Sequence, residues 1–136
     1  MKWETCIREH IVRQDTHKEV QKLREQSLNT FKTAQNLSVD RVQRRSKILL
    51  LYDAVRERLE AITCREGYDV HNHECYRAFL QECMNATDLA QQFNALRILR
   101  NKLEYDGYTL SGDEAQDAVT SLKKLFHELD TVTSIK

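Results

Sequence analysis

Proline is absent from the 136 residues, and glycine occurs three times, at Gly67, Gly107 and Gly112. A chain this poor in turn-forming residues does not build a turn-rich β-sandwich or barrel. No run of β-branched residues alternates with a period of two, so no half-buried strand is expected. The longest apolar run, residues 48–52, is far short of the ~20 residues that span a bilayer. The four cysteines (Cys6, Cys64, Cys75, Cys83) lack C-x-x-C spacing. With no secretory leader read at the N-terminus, they imply a cytoplasmic protein with reduced thiols. An excess of one charge is also missing. Twenty-one basic side chains balance 21 acidic ones, which argues against a broadly electrostatic nucleic-acid binder.

What is present is a helical pattern. The length suits one domain, residues 1–136, with a real core. Residues 1–15 read as an N-terminal extension whose Trp3, Cys6, Ile7, Ile11 and Val12 can pack as a short helix. Residues 16–130 read as the bundle. Thr16-His17-Lys18-Glu19 has the form of a capping box, followed by Val20, Leu23, Leu28, Phe31, Ala34 and Leu37 as the inner face of a first long helix. Ser38 reads as the next cap, with Leu37 and Val42 placed as a hydrophobic staple. The second helix should run to about Cys64, with Ile48, Leu51, Tyr52, Val55, Leu59 and Ile62 as its stripe. Leu49, Leu50, Ala54 and Ala61 widen that stripe, so the helix is either central in its bundle or shared with a second subunit.

Gly67 ends the second helix, Asn72 caps a third, and residues 85–88 kink or break it before Tyr105. Leu110-Ser111-Gly112-Asp113-Glu114 announces a last helix, its apolar face running from Ala115 to Leu129, with residues 131–136 frayed. The expected fold is all-α: an antiparallel up-and-down four-helix bundle with a short N-terminal extension and a kinked or broken third helix.

Charge is uneven along this frame. Residues 1–66 carry 14 basic and 10 acidic side chains, and residues 67–136 carry 7 and 11. The densest basic patch is Arg41, Arg44, Arg45 and Lys47, either a solvated helix start or a phosphate-facing surface. One cation sits on an apolar face. Arg100 projects into the arc of Phe93, Leu96, Leu99 and Leu103, and a guanidinium there needs partners. Glu104, Asp53, Glu57 and Glu60 are candidates for an ion pair; a bound anion is the alternative. Asn101 and Tyr105 share a neighbouring face with Arg97 and Ile98. His71, His73, Cys75 and Cys64 invite a zinc reading, but no second closely spaced pair completes the set, so no metal is expected. No Ser-His-Asp order, phosphate-cradling glycine loop or paired-carboxylate motif occurs.

Two segments resemble a family. One is Tyr52-Asp53-Ala54-Val55-Arg56-Glu57-Arg58-Leu59-Glu60-Ala61 with Gly67 and residues 72–80; the other is Leu96-Arg97-Ile98-Leu99-Arg100-Asn101-Lys102-Leu103-Glu104-Tyr105-Asp106-Gly107-Tyr108. Their order and spacing resemble the HEPN domains of prokaryotes. The resemblance implies a helical bundle that commonly dimerises. Many members are ribonucleases, often toxins, using an arginine and a histidine four to six positions later; others accompany a nucleotidyltransferase as its antitoxin partner. Arg100 matches that arginine and Asn101 the polar residue after it, while Tyr105 stands at the histidine position. A phenol of pKa ~10 is a poor base at neutrality beside an imidazole of ~6.5. The resemblance therefore implies a non-catalytic, homodimeric interaction module, companion to a nucleotidyltransferase or binder of nucleotide or RNA phosphate through Arg97, Arg100, Asn101 and Tyr105, without a cofactor. The alternative is a metal-independent ribonuclease in which Tyr105 replaces the histidine.

Overall fold

The computed structural model describes residues 1–14, 18–105 and 107–134. Helices dominate: α1 (Trp3–Arg8), α2 (Val20–Gln35), α3 (Arg44–Arg65), α4 (His73–Ala78), α5 (Thr87–Tyr105) and α6 (Gly112–Ser134). A π-helical turn, Phe79–Cys83, continues α4. Chain reversal at Asn85, in the left-handed region at φ 53°, then separates it from α5, so the expected break is present. The all-helical expectation needs one correction. β1 (Val12–Arg13) and β2 (Asp69–Val70) pair antiparallel, Val12 opposite Val70. Two-residue strands carry no periodicity, which is why the sequence pattern does not show them.

The core forms around α3. Ile48, Leu51, Tyr52, Val55, Leu59 and Ile62 are each at most 2% exposed, and the helix contacts α2, α5, α6 and β2. Of the two expectations for its wide apolar surface, the central position is the one seen; the chain covers that surface with its own helices. Stacked rings of Phe31 on α2 and Phe126 on α6, 4.2 Å apart, close the layer over it. α2 differs from expectation on its inner face. Ser27 is fully buried there, and Leu28 is 40% exposed, because the buried Arg58 needs an acceptor at that point. Arg58 Nε donates to Ser27 Oγ at 2.9 Å, its Nη1 pairs with Asp130, and its guanidinium lies over the Phe126 ring.

Helix ends follow side-chain capping with two corrections. At α6 the capping box is complete: Glu114 N–H donates to Ser111 Oγ at 3.1 Å, and Ser111 N–H to Glu114 Oε1 at 3.0 Å. α6 continues through Ser134 with Val132 buried, so the fraying expected from residue 131 is not seen in the described part. Ser38 does not cap α3. Asp40 accepts from the N–H groups of Val42 and Gln43 instead, and Val42 is 86% exposed, which removes the staple. In the expected box at residues 16–19, Thr16 and His17 lie outside the described residues; α2 begins later, at Val20, and Glu19 makes no side-chain cap bond.

The thiol expectation is overturned for Cys6 and Cys75. Cys6 and Cys75 form a disulfide, Cα atoms 6.1 Å apart, that fastens α1 to α4. Sequence spacing hides this pair because the two residues are 69 positions apart. Among the described residues no helix is long and apolar enough to cross a membrane.

Two outcomes follow for stability. Ser111→Ala removes the α6 cap acceptor and should cost about 1 kcal/mol in urea unfolding. Cys6→Ser removes a long-loop cross-link and should cost about 2–4 kcal/mol; adding a reductant should destabilise the wild type but leave that variant unchanged.

Candidate functional site

The residues that the sequence singles out on α5 face a second wall formed by residues 71–74 at the start of α4. Asn72 starts that wall by capping α4, its Oδ1 accepting from Glu74 N–H at 2.8 Å. The β1–β2 pairing places the residues before it, and His71 N–H donates to the Ile11 carbonyl at 2.9 Å. The disulfide at Cys75 holds the next turn. Opposite stands the outer face of α5, whose inner residues Phe93, Leu96 and Leu103 are buried in the core. Between the walls lies an open depression of about 340 Å³ lined by His71, Asn72, His73, Glu74, Arg97, Arg100, Asn101 and Tyr105. All four α5 residues named from the sequence are therefore brought together.

Arg100 is half-buried, and its carbon Cζ lies 5.6 Å from the centre of the Tyr52 ring and 5.9 Å from that of Tyr105. These ring faces attract the guanidinium without cancelling its charge. Its Nη1 donates to Asn101 Oδ1 at 3.4 Å. Arg97 donates to Asn94 Oδ1 at 2.9 Å, also a neutral acceptor. The carboxylates expected to answer Arg100 are occupied elsewhere. Glu104 is 4.0 Å from Arg45, Glu60 pairs with Lys18 and Arg56, and Glu57 accepts from Gln26. Burial instead raises the pKa of Asp53. Glu74, in the depression itself, pairs with the Met1 ammonium at 2.8 Å and lies 4.0 Å from Arg77. Among the described residues, neither Arg97 nor Arg100 has a carboxylate within 4.0 Å. The structural ion pair expected for Arg100 is not formed.

Two further members are not evident from the sequence. Tyr52 reads there as a core residue of α3, and His73 as a helix start. The fold joins them by a 2.9 Å hydrogen bond between Tyr52 Oη and His73 Nδ1. Burial, with Arg56, Arg100 and Arg97 nearby, lowers the pKa of His73 to about 4; burial likewise raises that of Tyr52. His73 is therefore neutral at pH 7, and its conjugate acid is too strong for efficient proton transfer there. The only sequence signals are a polar ring on an apolar stripe and a histidine just inside a cap, and neither specifies contact with Arg100.

The zinc reading finds no geometry. The Cys75 sulfur is bonded to Cys6, Cys64 Sγ contacts the Lys18 carbonyl at 3.3 Å, and His71 Nε2 lies 3.2 Å from Asp69. Among the described residues no three His, Cys, Asp or Glu side chains form a metal set. What the depression offers is two guanidinium charges with no carboxylate within 4.0 Å among the described residues, though within electrostatic reach of Glu74 and Asp53. It adds the Asn72 and Asn101 amides, a neutral imidazole and the Tyr105 ring, 74% exposed. That combination suits an anion attached to a planar ring.

Because the folded chain disfavours the imidazolium, the unfolded chain binds more protons between pH 4 and 6.5. Stability must then fall as pH drops through that window, and His73→Gln should flatten the fall. The His73 Cε1 proton should titrate by NMR with a midpoint near 4. The chain matches no family model, no curated protein and no solved structure, so the reading of this depression rests on the chain's own residues.

Proposed function

We propose that the chain is a non-catalytic, HEPN-like module, its α2, α3, α5 and α6 forming an antiparallel four-helix bundle, that binds a phosphate of a nucleotide or RNA between α4 and α5. The observation that carries this is the pair Arg97 and Arg100, two permanent charges in one depression with no carboxylate within 4.0 Å among the described residues. A phosphate accepts from both guanidiniums, and the exposed Tyr105 ring stacks on a base.

The non-catalytic part rests on acid–base chemistry. Metal-free cleavage of RNA needs groups that exchange protons near neutrality. Tyr105 is a phenol, and His73 has its pKa lowered to about 4. The burial of α3 inside its own chain leaves Ile98, Asn101 and Tyr105 as the surface for a second copy or for a nucleotidyltransferase. Ile98 is 45% and Tyr105 74% exposed, and both flank the depression, so a partner there covers the bound phosphate.

The test is a titration of purified protein with AMP and with a 5′-phosphorylated oligoribonucleotide, alongside light scattering. Arg100→Ala should weaken binding about tenfold or more, the loss of about 1.5–3 kcal/mol for a charged hydrogen bond, with the RNA recovered intact. Absence of binding at about 1 mM ligand overturns the phosphate site. RNA cleavage that Arg100→Ala abolishes establishes the ribonuclease instead.

A further inference from the structure

The basic segment that opens α3 has no part in the Arg97–Arg100 depression, and the structure divides its four cations. Lys47 is only 5% exposed and turns inward, its Nζ donating to the carbonyls of Ala34 at 3.1 Å and Leu37 at 2.6 Å. It closes the C-terminus of α2 and faces no ligand. Arg41, Arg44 and Arg45 instead line a second cavity of about 230 Å³, between the turn before α3, the end of α5 and the segment leading to α6.

Two of these arginines are held by neutral acceptors. Arg44 Nη1 donates to the Leu110 carbonyl at 3.0 Å and its Nε to the Asp40 carbonyl at 3.2 Å. Arg45 Nε donates to the Leu103 carbonyl at 3.4 Å. A carbonyl fixes a guanidinium in place without neutralising it, so these charges are pre-positioned. Among the described residues, the one ion pair of these three arginines is that of Arg45 with Glu104, at 4.0 Å. The Asp40 carboxylate accepts from the backbone of Val42 and Gln43. Among the described residues Arg41 has no carboxylate within 4.0 Å. The remaining lining is Val42, Leu103 and Leu110, with Thr109 and Tyr108, whose hydroxyl donates to Glu114 Oε2 at 2.6 Å. Leu103 and Leu110 are core residues that reach the cavity, and Val42, 86% exposed, stands among the arginines with nothing covering it.

We propose that this cavity binds a small carboxylate with a short apolar body, an acyl chain or a single aromatic ring. The carboxylate lies toward Arg41 and Arg44, and the body covers Val42, Leu103 and Leu110. Guanidinium and carboxylate pair through parallel hydrogen bonds, and the apolar lining gains by losing water. Inorganic phosphate would leave that lining wet, and a neutral apolar molecule would leave the guanidiniums unpaired. The volume is below the ~300–1,000 Å³ typical of drug-sized ligands, which limits the body to a single ring or a short chain.

Amide chemical shifts of the ¹⁵N-labelled full chain provide the test, with benzoate, hexanoate, benzamide and inorganic phosphate as probes. Benzoate and hexanoate should move the amides of Val42, Thr109 and Leu110 saturably, and benzamide should need about tenfold more for the same effect. Arg41→Gln should weaken benzoate binding about fivefold or more. Val42→Ser should weaken hexanoate binding. Both side chains are exposed and make no hydrogen bond or ion pair among the described residues, so both variants keep the fold. Benzamide equal to benzoate, phosphate as tight as benzoate at these amides, or no shift at about 20 mM benzoate each overturns the proposal. The Arg97–Arg100 site is read separately, by shifts at Arg97 and Asn101.

Discussion

Enclosure of α3 is the constraint on which the rest of the molecule depends. A helix contacted by α2, α5, α6 and β2 buries most of its middle turns, yet α3 carries the buried charges Lys47, Glu57 and Arg58. Each must find partners inside the protein, because an unpaired buried charge costs several kcal/mol. Lys47 meets the last carbonyls of α2. Glu57 accepts from Gln26 of α2. Arg58 reaches Ser27 of α2 and Asp130 of α6. These contacts set where α2 and α6 lie along α3, which nondirectional apolar packing leaves loosely specified.

The same enclosure explains why the depression forms between α4 and α5. Tyr52 has its ring in the core beside Phe93, with ring centres 5.8 Å apart, and its hydroxyl emerges where α4 meets α5. There it holds His73, and its ring lies beneath Arg100. The N-terminal segment completes the arrangement from outside. The Trp3 ring packs edge-on against Tyr68 and Phe79, β1 pairs with β2, and the disulfide joins Cys6 to Cys75. One wall of the depression is thus fixed by residues that the sequence presents as an extension, and the other by the α5 core.

Much of the helical frame was legible, and for a local reason. The Ser111–Glu114 box, the Asn72 cap and the break near Asn85 are settled within about four residues, the range of a helix hydrogen bond. The α3 stripe was legible because burial repeats with the helical period. Ser38 failed as a cap because Asp40, two residues later, takes the N–H groups and starts the turn nearer the helix. Leu28 failed as an inner residue because Arg58, a distant residue, requires Ser27 in its place.

The sequence by itself determined that the chain is mainly helical, that α3 ends near Cys64 and α6 begins after Ser111, and that Arg97, Arg100, Asn101 and Tyr105 stand together on α5. Periodicity and capping are properties of neighbours, so one chain suffices to read them. Only the tertiary structure decided which charges are cancelled. It gave Glu104 to Arg45 and Glu60 to Lys18 and Arg56, left Arg97 and Arg100 without a carboxylate within 4.0 Å among the described residues, and set His73 against Tyr52 beside them. It also joined Cys6 to Cys75. The physical reason is the same in each case. An ion pair, a ring contact or a disulfide depends on distance after packing, and packing brings together residues whose separation along the chain carries no signal of it.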